Sequence, residues 1–345
     1  MNPICFYHSA DLDGVCSGAI VKHFVPDVEL VGYDYGQPFP WDKVRPGIDA
    51  ENDPLWAHLY KPENGYVLEV FGDPPKAAIE TLKFEKRTVY VADVSLPPED
   101  MRRLAEVSNL VWIDHHASQE GLWAELQNKQ AQQGLFRIGT AACELCWEFF
   151  NPLQDAPEAV RLLGSYDVWR KDDPEWEKIL AFQYGCRVIN NIHDPEHGPW
   201  LDLFAVEVAH IQDQKIREVV RDGRMLLRYQ AEVNRRACEL GNHVQYLFPP
   251  GGPYKNVWQN QQSVEGFTAL CCNTIVFNSQ FFDGFYDPEK HDVMVPYCKL
   301  ADGRWKVSLY STKPEIDCGA ICMTFGGGGY KGAAGFICDK LPWEK

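Results

Sequence analysis

The chain has 345 residues and a formal net charge of −16, and 45% of its residues are hydrophobic and 24% charged. This composition is that of a globular protein long enough for two domains, and it excludes a disordered, collagen-like or disulfide-stapled chain. The acidic balance argues against long duplex nucleic acid as a partner, because a basic surface supplies most of that affinity. No apolar run approaches the roughly 20 residues needed to cross a bilayer, so no membrane partner is expected.

The N-terminus, MNPICFYHSA, lacks the basic start and long apolar run of a signal peptide. The twelve cysteines are scattered, and Cys143 and Cys146 form a lone CxxC pair in TAACELCWEFF, where apolar residues recur at helical spacing. We interpret this pair as buried thiols rather than as metal ligands. The sequence therefore predicts a reducing compartment, the cytoplasm.

The first half alternates short apolar strands with helical stretches. Strands are predicted at Ile4–Tyr7, Thr88–Ala92 and Leu110–Ile113, and a helix is predicted over Cys16–Phe24. Strands that alternate with helices indicate a parallel sheet covered on both faces. The segment Tyr35–Gly65, rich in Pro, Gly and Trp, is interpreted as a long insertion.

From Trp200 to Leu240 apolar residues recur at helical steps, and Gly223 is expected to break this stretch into two helices. Strand signals return at Phe267–Leu270, Val293–Pro296 and Trp305–Tyr310. The segment Ala301–Arg304 carries the Asp-Gly signal of a hairpin turn. We predict an α/β chain in which a parallel-sheet domain (residues 1–190) is joined by long helices (191–240) to a smaller mixed α/β domain (241–345).

Four clusters of acidic and histidine residues stand in the first half. They are His8, Asp11 and Asp13 in YHSADLDG, Asp93 in VYVADVS, Asp114, His115 and His116 in VWIDHHAS, and Asp167 in GSYDVW. Three of the clusters directly follow a predicted strand. Because ligand sites in open parallel sheets lie beyond the carboxyl ends of the strands, we expect these side chains to converge at one edge.

Each acidic residue alone also fits a plainer role. Asp11 fits a helix cap, Asp93 fits a strand-end cap before Pro97, and Asp167 fits a solvated charge at a helix end. Together, crowded carboxylates raise one another's pKa unless cations lie between them. Carboxylate and imidazole donors without thiolates suit two divalent ions, Mn²⁺ first, with Mg²⁺, Co²⁺ or Fe²⁺ as alternatives. Two such ions would activate water to hydroxide for attack on a phosphoryl group.

These motifs resemble a known family. HxxDxDG, a strand-end Asp, DHH and a later Asp are similar to the DHH superfamily of phosphoesterases. GGGGYKGAAGF (Gly326–Phe336), preceded by WKVSLYS (Trp305–Ser311), resembles the substrate-binding domain called DHHA1. The combination is most similar to the branch that degrades very short RNA or cyclic nucleotides.

The resemblance implies two metal sites, one built from His8, Asp11 and Asp93 and the other from Asp13, Asp93, His115 and Asp167, with Asp93 bridging. It also implies that His116 contacts the substrate phosphate or protonates the leaving group, while Asp114 holds the adjacent imidazole. In the second domain it implies substrate contacts from Tyr310, Ser311, Gly327, Gly328, Gly329, Tyr330 and Lys331.

Three positions depart from the family pattern. Two residues separate His8 from Asp11, where many relatives have three or one. Tyr330 stands where histidine is usual, and Tyr310 stands where many members have arginine. A tyrosine ring offers a stacking face to a base but offers a phosphate only one hydroxyl, so both tyrosines favour recognition of a base.

The sequence thus predicts a metal-dependent phosphodiesterase acting on short oligonucleotides or cyclic nucleotides. A single-strand exonuclease is an alternative that the acidic balance disfavours. A nucleotide-sensing module without turnover is a second alternative, expected if a metal ligand were lost. A homodimer is compatible with the sequence.

Overall fold

The computed structural model describes residues 1–35, 37–44, 86–204, 209–247, 254–255, 263–264 and 266–344. It falls into two compact units, Met1–Met225 and Leu226–Lys345. The division lies inside a long helix, and the three-part division given above stays a prediction. Residues 45–65 of the predicted insertion lie outside the described part of the chain.

The first unit carries a five-stranded sheet flanked by helices. Its elements are β1 (Ile4–His8), α1 (Leu12–Phe24), β2 (Glu29–Tyr33), α2 (Trp41–Val44), β3 (Thr88–Ala92), α3 (Pro98–Val107), β4 (Asn109–Ile113), α4 (Glu120–Asn128), β5 (Gln132–Gln133), α5 (Ala142–Phe150), α6 (Glu158–Asp167), α7 (Trp176–Cys186) and α8 (Trp200–Leu203). The strand order is β2-β1-β3-β4-β5, and each neighbouring pair is parallel. The predicted parallel sheet is confirmed.

Most residues of the three central strands β1, β3 and β4 are buried, which explains why their apolar runs were visible in the sequence. Phe6 of β1 and Trp112 of β4 are fully buried in the core of this unit. The edge strand β2 was not predicted. Its only buried residue is Tyr33, so it lacks the apolar run of the central strands.

The long helix α9 (Ala209–Gly241) has 33 residues and passes through Gly223 without interruption, so the predicted break is wrong. The glycine serves packing instead. A Cβ at Gly223 would lie 1.7 Å from the carbonyl oxygen of Ala181, and one at Gly185 would lie 2.0 Å from that of Val219. The missing side chains let α7 and α9 approach at backbone distance, which offsets the roughly 1 kcal/mol that glycine costs inside a helix.

The second unit is a mixed sheet against which a short helix and the C-terminal part of α9 pack. Its further elements are β6 (His243–Leu247), β7 (Tyr254–Lys255), β8 (Ser263–Val264), β9 (Phe267–Asn273), β10 (Val293–Lys299), β11 (Trp305–Tyr310), α10 (Cys318–Thr324), β12 (Gly328–Tyr330) and β13 (Ala333–Cys338). The strand order of the six-stranded sheet is β12-β13-β11-β10-β9-β6, and only β9 and β10 pair in parallel among these described strands. The α/β class with a parallel and a mixed sheet is confirmed.

The predicted turn Ala301–Arg304 joins β10 to β11, which pair antiparallel. Gly303 adopts a φ of +90°, a conformation that favours glycine, and its N–H donates to the carbonyl of Leu300. The Asp-Gly signal therefore located this hairpin correctly.

All twelve cysteines are free thiols, and Cys143 and Cys146 are buried in α5. Burial raises the pKa of both thiols well above the ordinary value, which keeps them protonated. The prediction of buried thiols is confirmed. Within the described residues, the helices include none with the length and apolar character needed to cross a bilayer.

Candidate metal centre

The sheet of the first unit brings the predicted clusters together. His8 ends β1, Asp93 directly follows β3, and Asp114 directly follows β4. These three strands are neighbours in one parallel sheet, so their carboxyl ends lie along the same edge. The start of α1 and the last residue of α6, Asp167, contribute the remaining side chains.

His115 lies at the centre of the cluster. Its Nε2 is 3.2 Å from Oδ1 of Asp93, 3.6 Å from Oδ2 of Asp167 and 3.8 Å from Oδ2 of Asp13. Two sets of donors have their ligand atoms within 4.8 Å of one another: Asp13, His115 and Asp167, and Asp93, His115 and His116. The arrangement can hold metal ions between carboxylate and imidazole donors.

Asp93 adopts an unusual backbone conformation. Its φ is +60°, and its N–H donates to the carbonyl of Ile113 across to β4. Left-handed backbone is uncommon for a non-glycine residue and clusters at functional sites. The side chain is buried, and its Oδ1 makes no hydrogen bond to any described residue.

Burial raises the pKa of the Asp93 carboxyl well above its ordinary value, and the nearby carboxylates of Asp13, Asp11 and Asp167 raise it further. A buried carboxylate oxygen without a hydrogen bond is costly in the absence of a cation. The strand-end cap considered from the sequence does not account for this oxygen. A bound cation would account for it.

Asp13 is also buried, and it caps another helix. Its Oδ2 accepts from the N–H of Ala142 at 2.8 Å, and its Oδ1 accepts from the N–H of Cys143 at 2.9 Å. Both donors belong to the first turn of α5, where unpaired N–H groups favour a negative charge. Burial raises the pKa of Asp13, opposed by the neighbouring His115. The side chain therefore fixes a helix as well as facing the cluster.

Asp167 is the last residue of α6, and its side chain retains 26% exposure. Burial, reinforced by the carboxylates of Asp13 and Asp11, raises its pKa to about 9. Arg170 follows three residues later but is bound to Glu144, with Nη2 2.7 Å from Oε2. Its charge is therefore already engaged by another carboxylate.

His8 and Asp11 face each other beside these two sets. The Oδ1 of Asp11 accepts from the N–H of Gly14 at 3.0 Å, so Asp11 caps α1. Its Oδ2 lies 3.6 Å from Nε2 of His8. The structure pairs His8 with Asp11, while Asp93 is grouped with His115 and His116 rather than with these two.

Sequence reasoning missed Asp34, which directly follows β2. Its Oδ1 lies 3.4 Å from Nδ1 of His8, and it accepts from both the N–H and the hydroxyl of Ser9, at 3.2 and 2.9 Å. The available signal was an Asp at a strand end, as at Asp93. It was overlooked because β2 itself was not predicted.

Asp114 is fully buried and organises the second histidine of the DHH motif. Its Oδ1 lies 2.6 Å from Nδ1 of His116 and accepts from the N–H groups of His115 and His116, while its Oδ2 accepts from Nε1 of Trp112 at 3.2 Å. Asp114 thus holds the ring of His116, and its hydrogen bond raises the pKa of that imidazole. The side chain of His116 is 27% exposed.

The residues predicted to contact substrate in the second unit differ from one another in their hydrogen bonds and exposure. The hydroxyl of Tyr310 donates to the carbonyl of Phe277 at 2.9 Å, and that of Ser311 donates to the carbonyl of Asp292 at 2.8 Å. Tyr330 is 78% exposed on the edge strand β12. The carbonyl of Lys331 accepts from the N–H that begins α10.

Backbone conformation and close packing account for glycines in the run Gly326–Gly329. Gly326 adopts a φ of +78° after the end of α10, and the N–H groups of Gly326 and Gly327 donate back to the last turn of that helix. A Cβ at Gly327 would lie 2.1 Å from the carbonyl oxygen of Gly335, so a side chain there is excluded. The segment predicted as a loop includes the short strand β12, whose residues Gly328 and Gly329 pair with β13.

No family model matches the chain. An uncharacterized protein of Acanthamoeba polyphaga mimivirus is 22% identical over 350 residues, which covers 99% of this chain and 70% of that protein. The solved pGpG-specific phosphodiesterase PggH of Vibrio cholerae is 11% identical with a TM-score of 0.43, over 98% of this chain and 92% of its own. A DHH domain described within a family of ribosomal proteins is 12% identical with a TM-score of 0.46, over 98% and 82%.

An exopolyphosphatase-related protein from Bacteroides fragilis is 13% identical with a TM-score of 0.36, over 97% of this chain and 86% of its own. The HxxDxDG and DHH motifs lie at the ends of β1 and β4, on either side of β3, and Asp13 and His115 from these motifs converge with Asp93 and Asp167. The structure therefore brings together the side chains whose motifs resemble the DHH superfamily of phosphoesterases.

Proposed function

We propose that the chain is a DHH-type, metal-dependent phosphodiesterase that hydrolyses phosphoester bonds of short oligonucleotides or cyclic nucleotides. The observation that carries the proposal is the position of His115 Nε2, within 3.8 Å of carboxylate oxygens from Asp13, Asp93 and Asp167. A net charge of −16 favours short substrates over long duplexes, because only a local site can attract phosphate.

The residues fit divalent metal ions. The buried carboxylates have raised pKa values, and one oxygen of Asp93 makes no hydrogen bond among the described residues. Bound cations would stabilise the charged form of these groups. We propose that Asp13, Asp93, His115 and Asp167 hold the ions together with the His8–Asp11 pair, and that Mn²⁺ is preferred. Divalent ions bound there would polarise a phosphoryl oxygen and lower the pKa of water from about 15.7 toward 7.

His116 is proposed as the general acid. Asp114 fixes Nδ1 of its ring and raises its pKa, so the imidazole keeps its proton more readily at neutral pH. The partly exposed ring is accessible to a leaving-group oxygen, to which its Nε2 would deliver a proton. Asp114 acts through His116 and is therefore a positioning residue.

The second unit is proposed to contact the rest of the substrate. Tyr330 offers an exposed ring on which a base can stack, and it is the favoured contact there. The hydroxyls of Tyr310 and Ser311 already donate to backbone carbonyls. Their contribution would therefore come from ring surface or from accepting lone pairs rather than from a donated hydrogen bond.

A substrate panel tests the proposal. The purified chain is assayed with Mn²⁺ against dinucleotides, longer oligomers, cyclic mono- and dinucleotides, and pyrophosphate. We expect dinucleotides or cyclic nucleotides to be cleaved fastest, with the activity lost in Asp93→Asn and kept in Asp172→Asn, which removes an exposed carboxylate. Metal binding without cleavage of any diester would instead support a sensing module.

A further inference from the structure

A cavity of about 530 Å³ opens within the first unit, next to the candidate metal centre. Its walls include Tyr33, Tyr35, Pro38, Leu96, Pro97 and Gln119. Tyr35 joins the two regions, because its ring centroid lies 5.5 Å from that of His8 and 6.4 Å from that of His116. The ring of Tyr35 is therefore shared by the wall of the cavity and the surroundings of the metal centre.

The wall has the chemistry of a nucleobase site. None of its eight described residues is charged: two tyrosine rings, two prolines and a leucine supply apolar surface, and Gln37, Gln119 and Ser95 supply amide and hydroxyl groups. A phosphate chain requires cations, which these walls lack. A nucleobase requires apolar faces for its ring and hydrogen-bonding groups for its edge. The volume lies within the range of roughly 300–1,000 Å³ typical of small-molecule sites.

Tyr35 is held in place for such a role. Its ring neighbours those of His8 and His116 in the candidate metal centre. The residue nevertheless keeps 51% of its surface exposed, so the ring is both anchored and accessible. A platform fixed before binding loses little conformational entropy when a base stacks on it.

We propose that this cavity binds a nucleobase of the substrate, stacked on Tyr35 and hydrogen-bonded by Gln119, with the attached phosphate reaching the metal centre. The inference rests on the proposed function and adds a base subsite in the first unit. It makes the enzyme selective for nucleotides over pyrophosphate without any contribution from the second unit.

The test measures binding of a nucleoside 5′-monophosphate, of the free nucleoside and of inorganic phosphate by calorimetry, using the full chain with Mn²⁺. We expect Tyr35→Ala to weaken nucleotide and nucleoside binding about tenfold or more, and to change phosphate affinity less than about twofold. Tyr35→Phe is expected to retain most of the affinity, because the stacking face remains. Gln119→Ala is expected to weaken nucleotide and nucleoside binding but not phosphate binding. Tyr229→Ala, which removes an exposed tyrosine elsewhere, serves as the control.

Unchanged nucleotide affinity in both Tyr35→Ala and Gln119→Ala overturns the base subsite, as does an equal loss of nucleotide and phosphate affinity. Wild-type turnover of a dinucleotide is measured on the same preparation. Cleavage without Tyr35-dependent nucleotide binding refutes the subsite and leaves the proposed function standing. Tyr35-dependent nucleotide binding without cleavage refutes the proposed function and leaves the subsite standing.

Discussion

Replacing Asp167 by Asn should stabilise the metal-free protein and destabilise the metal-bound one. The folded chain raises the pKa of Asp167 from the ordinary 3.8 to about 9, chiefly through burial. Between these two pKa values, the folded state keeps a proton that the unfolded state has released. The folded state therefore loses stability as the pH rises through this range. Asparagine has no proton to hold, so the variant escapes this cost.

The magnitude follows from the same values. At pH 7 the retained proton lowers the free energy of unfolding by at most about 4 kcal/mol, since each pKa unit between 3.8 and the pH corresponds to about 1.36 kcal/mol. Neighbouring carboxylates share the proton and the side chain is 26% exposed, so we expect a gain of about 1–2 kcal/mol. For a unit of the size of Met1–Met225, each kcal/mol raises the melting temperature by about 2–4 °C.

The assay is thermal unfolding of wild type, Asp167→Asn and the control Asp172→Asn from pH 5 to pH 8, in chelator and in Mn²⁺. In chelator the advantage of Asp167→Asn should grow with pH. In Mn²⁺ the order should reverse, because the wild type gains RT ln(1 + [L]/Kd) from binding while the variant has lost a ligand. A variant less stable than wild type in chelator at pH 7.5 would show that Asp167 serves the fold rather than a metal.

Three other substitutions separate chemistry from packing. Asp93→Asn should lower kcat more than about 100-fold without lowering the melting temperature in chelator. Mutating a residue that only hydrogen-bonds to a metal ligand already lowers activity about 10- to 100-fold, so losing the ligand itself should cost more. Near-wild-type rates would refute its role. Asp13→Asn should lower both the activity and, by about 1–3 kcal/mol, the free energy of unfolding, because it loses an acceptor for the first turn of α5; unchanged urea unfolding would contradict this. Gly223→Ala should destabilise by more than about 2 kcal/mol, whereas Gly121→Ala, with open space around it, should be neutral or stabilising.

The sequence was most informative about features that depend on residues close together in the chain. The buried parallel strands appear as apolar runs, and polar residues directly after them must meet at one edge, so the convergence of Asp93 and His115 followed from the pattern. The hairpin turn was visible for the same reason, since Asp-Gly fits its backbone. The prediction that Asp11 caps a helix is also confirmed, and the same side chain contacts His8.

The rest depends on contacts between distant parts of the chain. The bonds from Asp13 to the start of α5 join residues 129 and 130 positions apart, which no local pattern encodes. Gly223 breaks no helix because α7 packs against it, a partner far away in sequence. Asp34 was missed with its edge strand, whose apolar pattern is weak because only Tyr33 is buried.

The most direct test of the metal centre combines manganese titration with turnover on one preparation. The chain is stripped with chelator, Mn²⁺ is added in steps, and bound metal and dinucleotide hydrolysis are measured at each step, with Asp93→Asn in parallel. We predict no turnover in chelator, turnover that rises as two ions bind per chain, and little metal binding or turnover in the variant. Full turnover in excess chelator, or two bound ions without cleavage of any diester, would contradict this prediction.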